Sequence, residues 1–588
     1  MNFKLRLVAL LLAVMMLMTS CSFSIEEIMQ MIPGLGTSEE IQDATQESTT
    51  TTENEPPVEE EKWSKYDHSV TKKQLLERYT LTQEEVDAVL ALLDEMLAGA
   101  IPESEEEGAT PALTIEEVDA LYDEFETAFY HIAQQMTIAS IVYYCNMSDE
   151  EASTRHLNTQ DMFYDVQDKY METCRSMYLN SPYSAELFEG WTEEEIQDLL
   201  DFDPTTTALK KEVEELQVAY NDLSASKFYD GSAEIYAQIV TKNNELAKLY
   251  GYDNYYEYAS ENVYGRDYTK EDLEAFQGYV KDYIIPRFSN LDKGWRAYTD
   301  LSTSRKELFI SYIQDGFDTM EKNYLLLYLD SLGETNMGVA MRDVFDSKNC
   351  VFSMNSNSHP TAFQTYLYED ETPFCLFGKN GQSSSTMVHE IGHYYAAYTN
   401  HDLNNYDLCE THSQGNEFLF LQFCKDELPS KVYNIARYYN LFNAYYVIVC
   451  ATIIDDFEQR VYSLESVEGF TSADFDAIMD EVLADYDKDA AWFTTNLTDM
   501  YDYWRNVAVD NPVYYISYAV SAVAAVELFA IAESEEEGEG YEAAQAIYIS
   551  LVEGVLPEDG FIGALKKAGL YTPFEEEAFK KVAATMRK

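Results

Sequence analysis

TMVHEIGH, residues 386–393, decides how this chain is read. On an α-helix, positions four apart share a face, so the imidazoles of His389 and His393 can converge on one ion while Glu390 points at a bound water. The arrangement suits zinc-assisted hydrolysis of a peptide bond, with Glu390 as proton acceptor and not as ligand. Ile391 fills the core side of the turn, and Gly392 leaves the helix surface bare, as close packing of a second helix would require. An amphipathic helix with two surface histidines would show the same letters, so the reading needs a third ligand.

Downstream, CETHSQGNEFLFLQF at 409–423 offers Glu410, His412 and Glu417. Glu410, Ser413 and Glu417 recur at i, i+3 and i+7 and share one helical face, while Phe418, Leu419 and Leu421 make the opposite face apolar. Glu410 is the expected ligand. Glu417 is expected to accept a hydrogen bond from a ligating imidazole and so fix its orientation, although spacing alone would let the two carboxylates exchange roles.

The two blocks together resemble the oligoendopeptidase F branch of the thimet oligopeptidase family of zinc metallopeptidases. A third block, NPVYYISYAVSAVAAVELF at 511–529, resembles that branch's C-terminal tyrosine motif, and NNELAKLYGYDNYYEY at 243–258 is a weaker echo of its N-terminal half. The resemblance implies a mainly α, two-lobed enzyme with a deep channel for short oligopeptides, one zinc ion on His389, His393 and Glu410, and tyrosines that stabilise the oxyanion. Tyr518 is the first candidate for that last role and Tyr515 the second; a buried helix with its hydroxyls satisfied elsewhere is the alternative. Relatives carry a histidine shortly before the tyrosine run, whereas WRNVAVDNP at 504–512 has none, and no histidine follows His412. That departure leaves room for a catalytically weakened peptide- or metal-binding surface lipoprotein. A zinc carboxypeptidase would share the helix motif and the downstream glutamate.

At the start of the chain, Lys4 and Arg6 precede an apolar run from Leu7 to Met18. This has the form of a secretory signal over 1–20 and is too short for an ordinary membrane span. Because MTSC ends the run, it resembles a bacterial lipobox in which Cys21 becomes lipidated, placing the mature chain on the extracellular side of a membrane; a plain signal peptide would also place it outside the cytoplasm. Residues 21–62 are rich in Thr, Glu and Pro and lack the apolar surface to fold, so they read as an extended acidic tether. The acidic stretch at 101–111 reads as a surface loop.

The globular part divides into an N-terminal helical region, 63–345, and a catalytic region, 346–588. Helical periodicity predicts helices over 72–98, 114–145, 208–224, 232–250, 268–292 and 431–461. The runs AFQTYLY and TPFCLF within 350–377 predict short strands directly before the metal helix, either a hairpin or an edge that grips extended peptides. A formal charge of −67, from 106 acidic and 39 basic residues, excludes nucleic-acid binding and describes a solvated face. Nothing suggests a partner chain, and a monomer is expected. Among eight cysteines, Cys350 and Cys375 flank the β-rich stretch and would pair if it folds back on itself; Cys145, Cys174, Cys424 and Cys450 read as small core residues.

Overall fold

The computed structural model describes residues 63–588, apart from 103–109, 224–227, 291–296, 299, 314–322, 401–404, 487–507, 510, 535, 537–539 and 587–588. The signal, Cys21, the tether and most of the expected loop at 101–111 lie outside the described residues.

The principal helices are α1 (Lys72–Arg78), α2 (Gln83–Ala100), α3 (Ile115–Tyr144), α4 (Glu150–Asn180), α5 (Thr205–Asn221), α6 (Phe228–Leu249), α7 (Ser384–Thr399), α8 (Tyr406–Glu427), α9 (Ser430–Tyr462), α10 (Ile516–Ala532) and α11 (Tyr541–Glu553). One helix expected over 72–98 is two. Thr82 and Glu85 form a capping box that restarts the chain as α2, and Gln135 closes the gap by accepting from Thr80 N–H at 2.7 Å and donating to the Arg78 carbonyl at 3.3 Å. The run expected over 268–292 is α-helical only over Lys270–Tyr279 and continues as a π turn and a 3₁₀ turn through Pro286, which lacks the N–H an α-helix needs.

Three strands, β1 (Cys350–Phe352), β2 (Ala362–Leu367) and β3 (Thr372–Phe377), form a sheet in the order β1-β3-β2. β2 and β3 are antiparallel, while β1 runs parallel to β3 with Cys350 opposite Cys375. Both thiols are buried and without a disulfide, so the pairing open in the sequence is not made.

Two large apolar clusters organise the molecule. One is built by α2, α3 and α4 around Leu93, Phe125, Phe129 and Phe163. The other runs from Val213 to Val582 and so crosses the expected boundary at 345. Between them opens a cavity of about 570 Å³ whose walls include Phe163, Val213, Leu246, Tyr264, His359 and Pro512. No helix among the described residues is long and apolar enough to cross a membrane.

Candidate metal centre

Helix α7 begins at Ser383, whose side chain accepts from Thr386 N–H, and it is packed against the sheet on one side and α8 on the other. Its contact with α8 depends on Gly392: a Cβ there would lie 2.8 Å from Ser413 Cα and 2.9 Å from the His412 carbonyl oxygen. The expectation of a bare surface for a second helix is met. Asn416 locks the pair by donating to the Val388 carbonyl at 2.7 Å while accepting from the Tyr328 hydroxyl at 2.8 Å.

This close approach brings three donor atoms together. His389 Nε2 lies 3.2 Å from His393 Nε2 and 3.4 Å from Glu410 Oε2, and the third edge of the triangle, His393 Nε2 to Glu410 Oε2, is 3.6 Å. Bonds of the usual zinc length around a tetrahedral ion put ligand atoms about 3.3 Å apart, so the triangle fits such an ion. Two imidazoles and a carboxylate are also the donor set of a hydrolytic zinc site with one position left open. Among the described residues, His389, His393 and Glu410 are the group able to hold one ion; Glu390, fully buried on the same helix, is not part of it.

Other side chains orient the donors. Glu417 accepts from His389 Nδ1 at 2.7 Å, leaving Nε2 to face the triangle. Ser413 donates to Glu410 Oε2 at 3.0 Å, and the Tyr514 hydroxyl donates to Oε1 of the same carboxylate. Burial opposes protonation of His389, but the carboxylates of Glu410 and Glu417 outweigh it and raise its pKa well above the histidine range. Burial likewise works against ionised Glu410, and His393 and His389 outweigh it, holding that carboxyl far below its usual value. Each group is thereby held in the charge state that a cation would replace or reinforce. His412 turns away: its Nε2 meets the Leu551 carbonyl at 3.0 Å, and burial pushes its pKa down to about 4.

The tyrosine block brings one more residue to the site than the two expected. Tyr518 borders a small cavity beside His389, Gln414 and Glu417, and Tyr515 stacks edge-on against the Tyr518 ring at 5.3 Å. It is Tyr514, not named from the sequence, that touches Glu410, with its ring edge-on to Tyr518 at 5.2 Å. Helical spacing could not have selected it, because α10 starts only at Ile516 and Tyr514 belongs to the turn before it. The available signal was Asn511-Pro512, a turn dipeptide directly ahead of the run. Tyr264, against Tyr514 at 5.5 Å, joins this site to the large cavity.

No family model matches the sequence, and no curated protein matches it. Solved structures do match. A protein provisionally designated oligoendopeptidase F superposes with a TM-score of 0.64 at 15% identity, over 88% of this chain and 98% of the other. PZ peptidase A with an inhibitor gives 0.62 at 16% identity over 86% and 97%. The oligoendopeptidase F of Enterococcus faecium gives 0.51 at 14% identity over 86% and 98%. This chain has their fold. The mainly helical architecture is therefore common to all four.

Proposed function

We propose that this chain is a zinc-dependent endopeptidase that hydrolyses short oligopeptides outside the cell, tethered to a membrane by a lipid on Cys21 and acting as a monomer. The observation that carries the reading is the buried triangle of His389, His393 and Glu410 with Glu390 beside it on one helix. A zinc ion held by those three residues would supply Lewis-acid polarisation of the scissile carbonyl and a water acidic enough to attack at neutral pH. Glu390 takes the proton of the attacking water and returns it to the leaving amine nitrogen. Glu417 keeps His389 in the tautomer with Nε2 free, and Ser413 keeps Glu410 aimed at the imidazoles. Tyr518, which lines the small cavity beside His389, donates to the carbonyl oxygen where negative charge develops, while Tyr514, whose hydroxyl proton goes to Glu410, holds that carboxylate in place. The cavity of about 570 Å³ has the volume for several peptide residues.

The test is hydrolysis of quenched fluorescent peptides by protein of measured zinc content, with products identified by mass spectrometry. Wild type should cut internal bonds, and Glu390→Gln should lose about a thousand-fold in kcat with zinc content unchanged. Fully zinc-loaded wild type that cuts nothing would instead mark a binding protein, and release of single C-terminal residues would mark a carboxypeptidase. Cys21→Ser should move the chain from the membrane to the soluble fraction; retention there would refute the lipid anchor.

A further inference from the structure

The turn that delivers Tyr514 is held against its own backbone preference. Val513 has φ +66°, a left-handed conformation in which a β-branched side chain is a true outlier, and such backbone persists only where surrounding contacts over-determine it. Those contacts come from buried side chains far away in sequence. Val513 N–H donates to Glu458 Oε1 on α9 at 2.8 Å. Arg266 Nη2 donates to the Val513 carbonyl at 2.6 Å and lies 3.3 Å from both the Tyr514 carbonyl and Ser517 Oγ. The Tyr264 hydroxyl donates to the Pro512 carbonyl at 2.6 Å. The turn from Pro512 to Tyr514 is thus gripped along its backbone by Tyr264, Arg266 and Glu458, and the other end of the lever is the Tyr514 hydroxyl on Glu410.

We infer that Arg266 and Glu458 are positioning residues that pin Val513 in left-handed backbone so that the Tyr514 hydroxyl is presented to the metal group. The kinetic part rests on the peptidase reading; the structural part does not. Arg266 is suited to the task because its rigid plane binds through two nitrogens at once, Nη2 to the Val513 carbonyl and Nη1 to Ser260 Oγ at 3.2 Å, an anchorage that the single nitrogen of a lysine on a flexible stem cannot reproduce. For Glu458 the requirement is an acceptor, not a charge, so glutamine should replace it.

The experiment uses the full chain in two states. In the zinc-free protein, hydrogen exchange by mass spectrometry should show residues 511–518 exchanging about tenfold faster in Arg266→Lys and Glu458→Leu, at the wild-type rate in Glu458→Gln, with α2 unchanged in all three. In the zinc-loaded protein, Arg266→Lys should lower kcat about tenfold with KM within twofold, and should add no further loss in a Tyr514→Phe background. Unchanged exchange over 511–518 in Arg266→Lys overturns the inference, as does a loss that multiplies with that of Tyr514→Phe. If the exchange pattern appears and wild type cuts no peptide, the clamp stands and the peptidase reading falls. Should Glu458→Leu fail to fold, Arg266→Lys and Glu458→Gln decide the matter by the same readings.

Discussion

The layer of α2, α3 and α4 and the group of α7 to α10 are both stacks of long buried helices, yet the second buries far more ionisable side chains. In the first, Thr82 with Glu85 and Thr114 with Glu117 form capping boxes at the helix ends, the core is Leu93, Phe125, Phe129 and Phe163, and the buried ionisable groups are Glu126 and His156. In the second, ionisable groups lie inside. His389, Glu390, Asp407, Glu410, Asp455 and Glu458 are all buried, and several share partners across three helices. Burying a charge lowers stability unless partners compensate, so the second group depends more on its internal pairings than the first does.

That contrast can be broken at several points. Glu417→Ala removes the acceptor on His389 Nδ1 and should weaken zinc binding by about 10- to 100-fold in a chelator competition, while leaving the zinc-free fold intact. Gly392→Ala inserts a methyl against the backbone of α8 and should cost about 2 kcal/mol in denaturant unfolding. If it costs nothing, α7 and α8 are not tightly apposed at Gly392.

A pH titration separates the regions further. Burial pushes Glu458 from an ordinary 4.5 up to about 8, so between those values the folded chain keeps a proton that the unfolded chain has lost. The folded state then binds more protons, and this group's contribution to stability falls as pH rises through that window. Stability of wild type relative to Glu458→Gln should therefore decline from pH 5 to pH 8; a flat difference would mean that the carboxyl is not buried. The smallest effect belongs to the layer of α2, α3 and α4. Thr82→Ala removes one capping box and should cost about 1 kcal/mol without touching zinc affinity or kcat.

The same contrast explains what could be read from the sequence. The α3 helix, expected over 114–145 and found over Ile115–Tyr144, is written locally by its capping box and apolar period. Helix α4 was not expected, because the first turns of its buried stripe are Ala152, His156, Thr159 and Gln160, which carry no hydrophobic period. β2 and β3 followed from their aromatic runs, whereas β1 is three residues long and pairs in parallel with a strand 25 positions on, which no local pattern encodes. At the candidate site, helical spacing made His389, His393, Glu410 and Glu417 legible as a set, while which carboxylate joins the imidazoles and which accepts from His389 Nδ1 emerges only in the fold. Tyr514, Arg266 and Glu458 were not legible, since their meaning comes from contacts 104, 247 and 55 residues away.

The register of β1 against β3 has a chemical consequence of its own. Cys350 and Cys375 face each other across parallel strands, and burial pushes both thiols up, Cys375 well beyond the usual range. Oxidants and exchanging disulfides attack the thiolate, so two sulfurs kept protonated beneath the metal helix resist capture even in an oxidising compartment. A thiol-modifying reagent should therefore reach this pair only when the strands part.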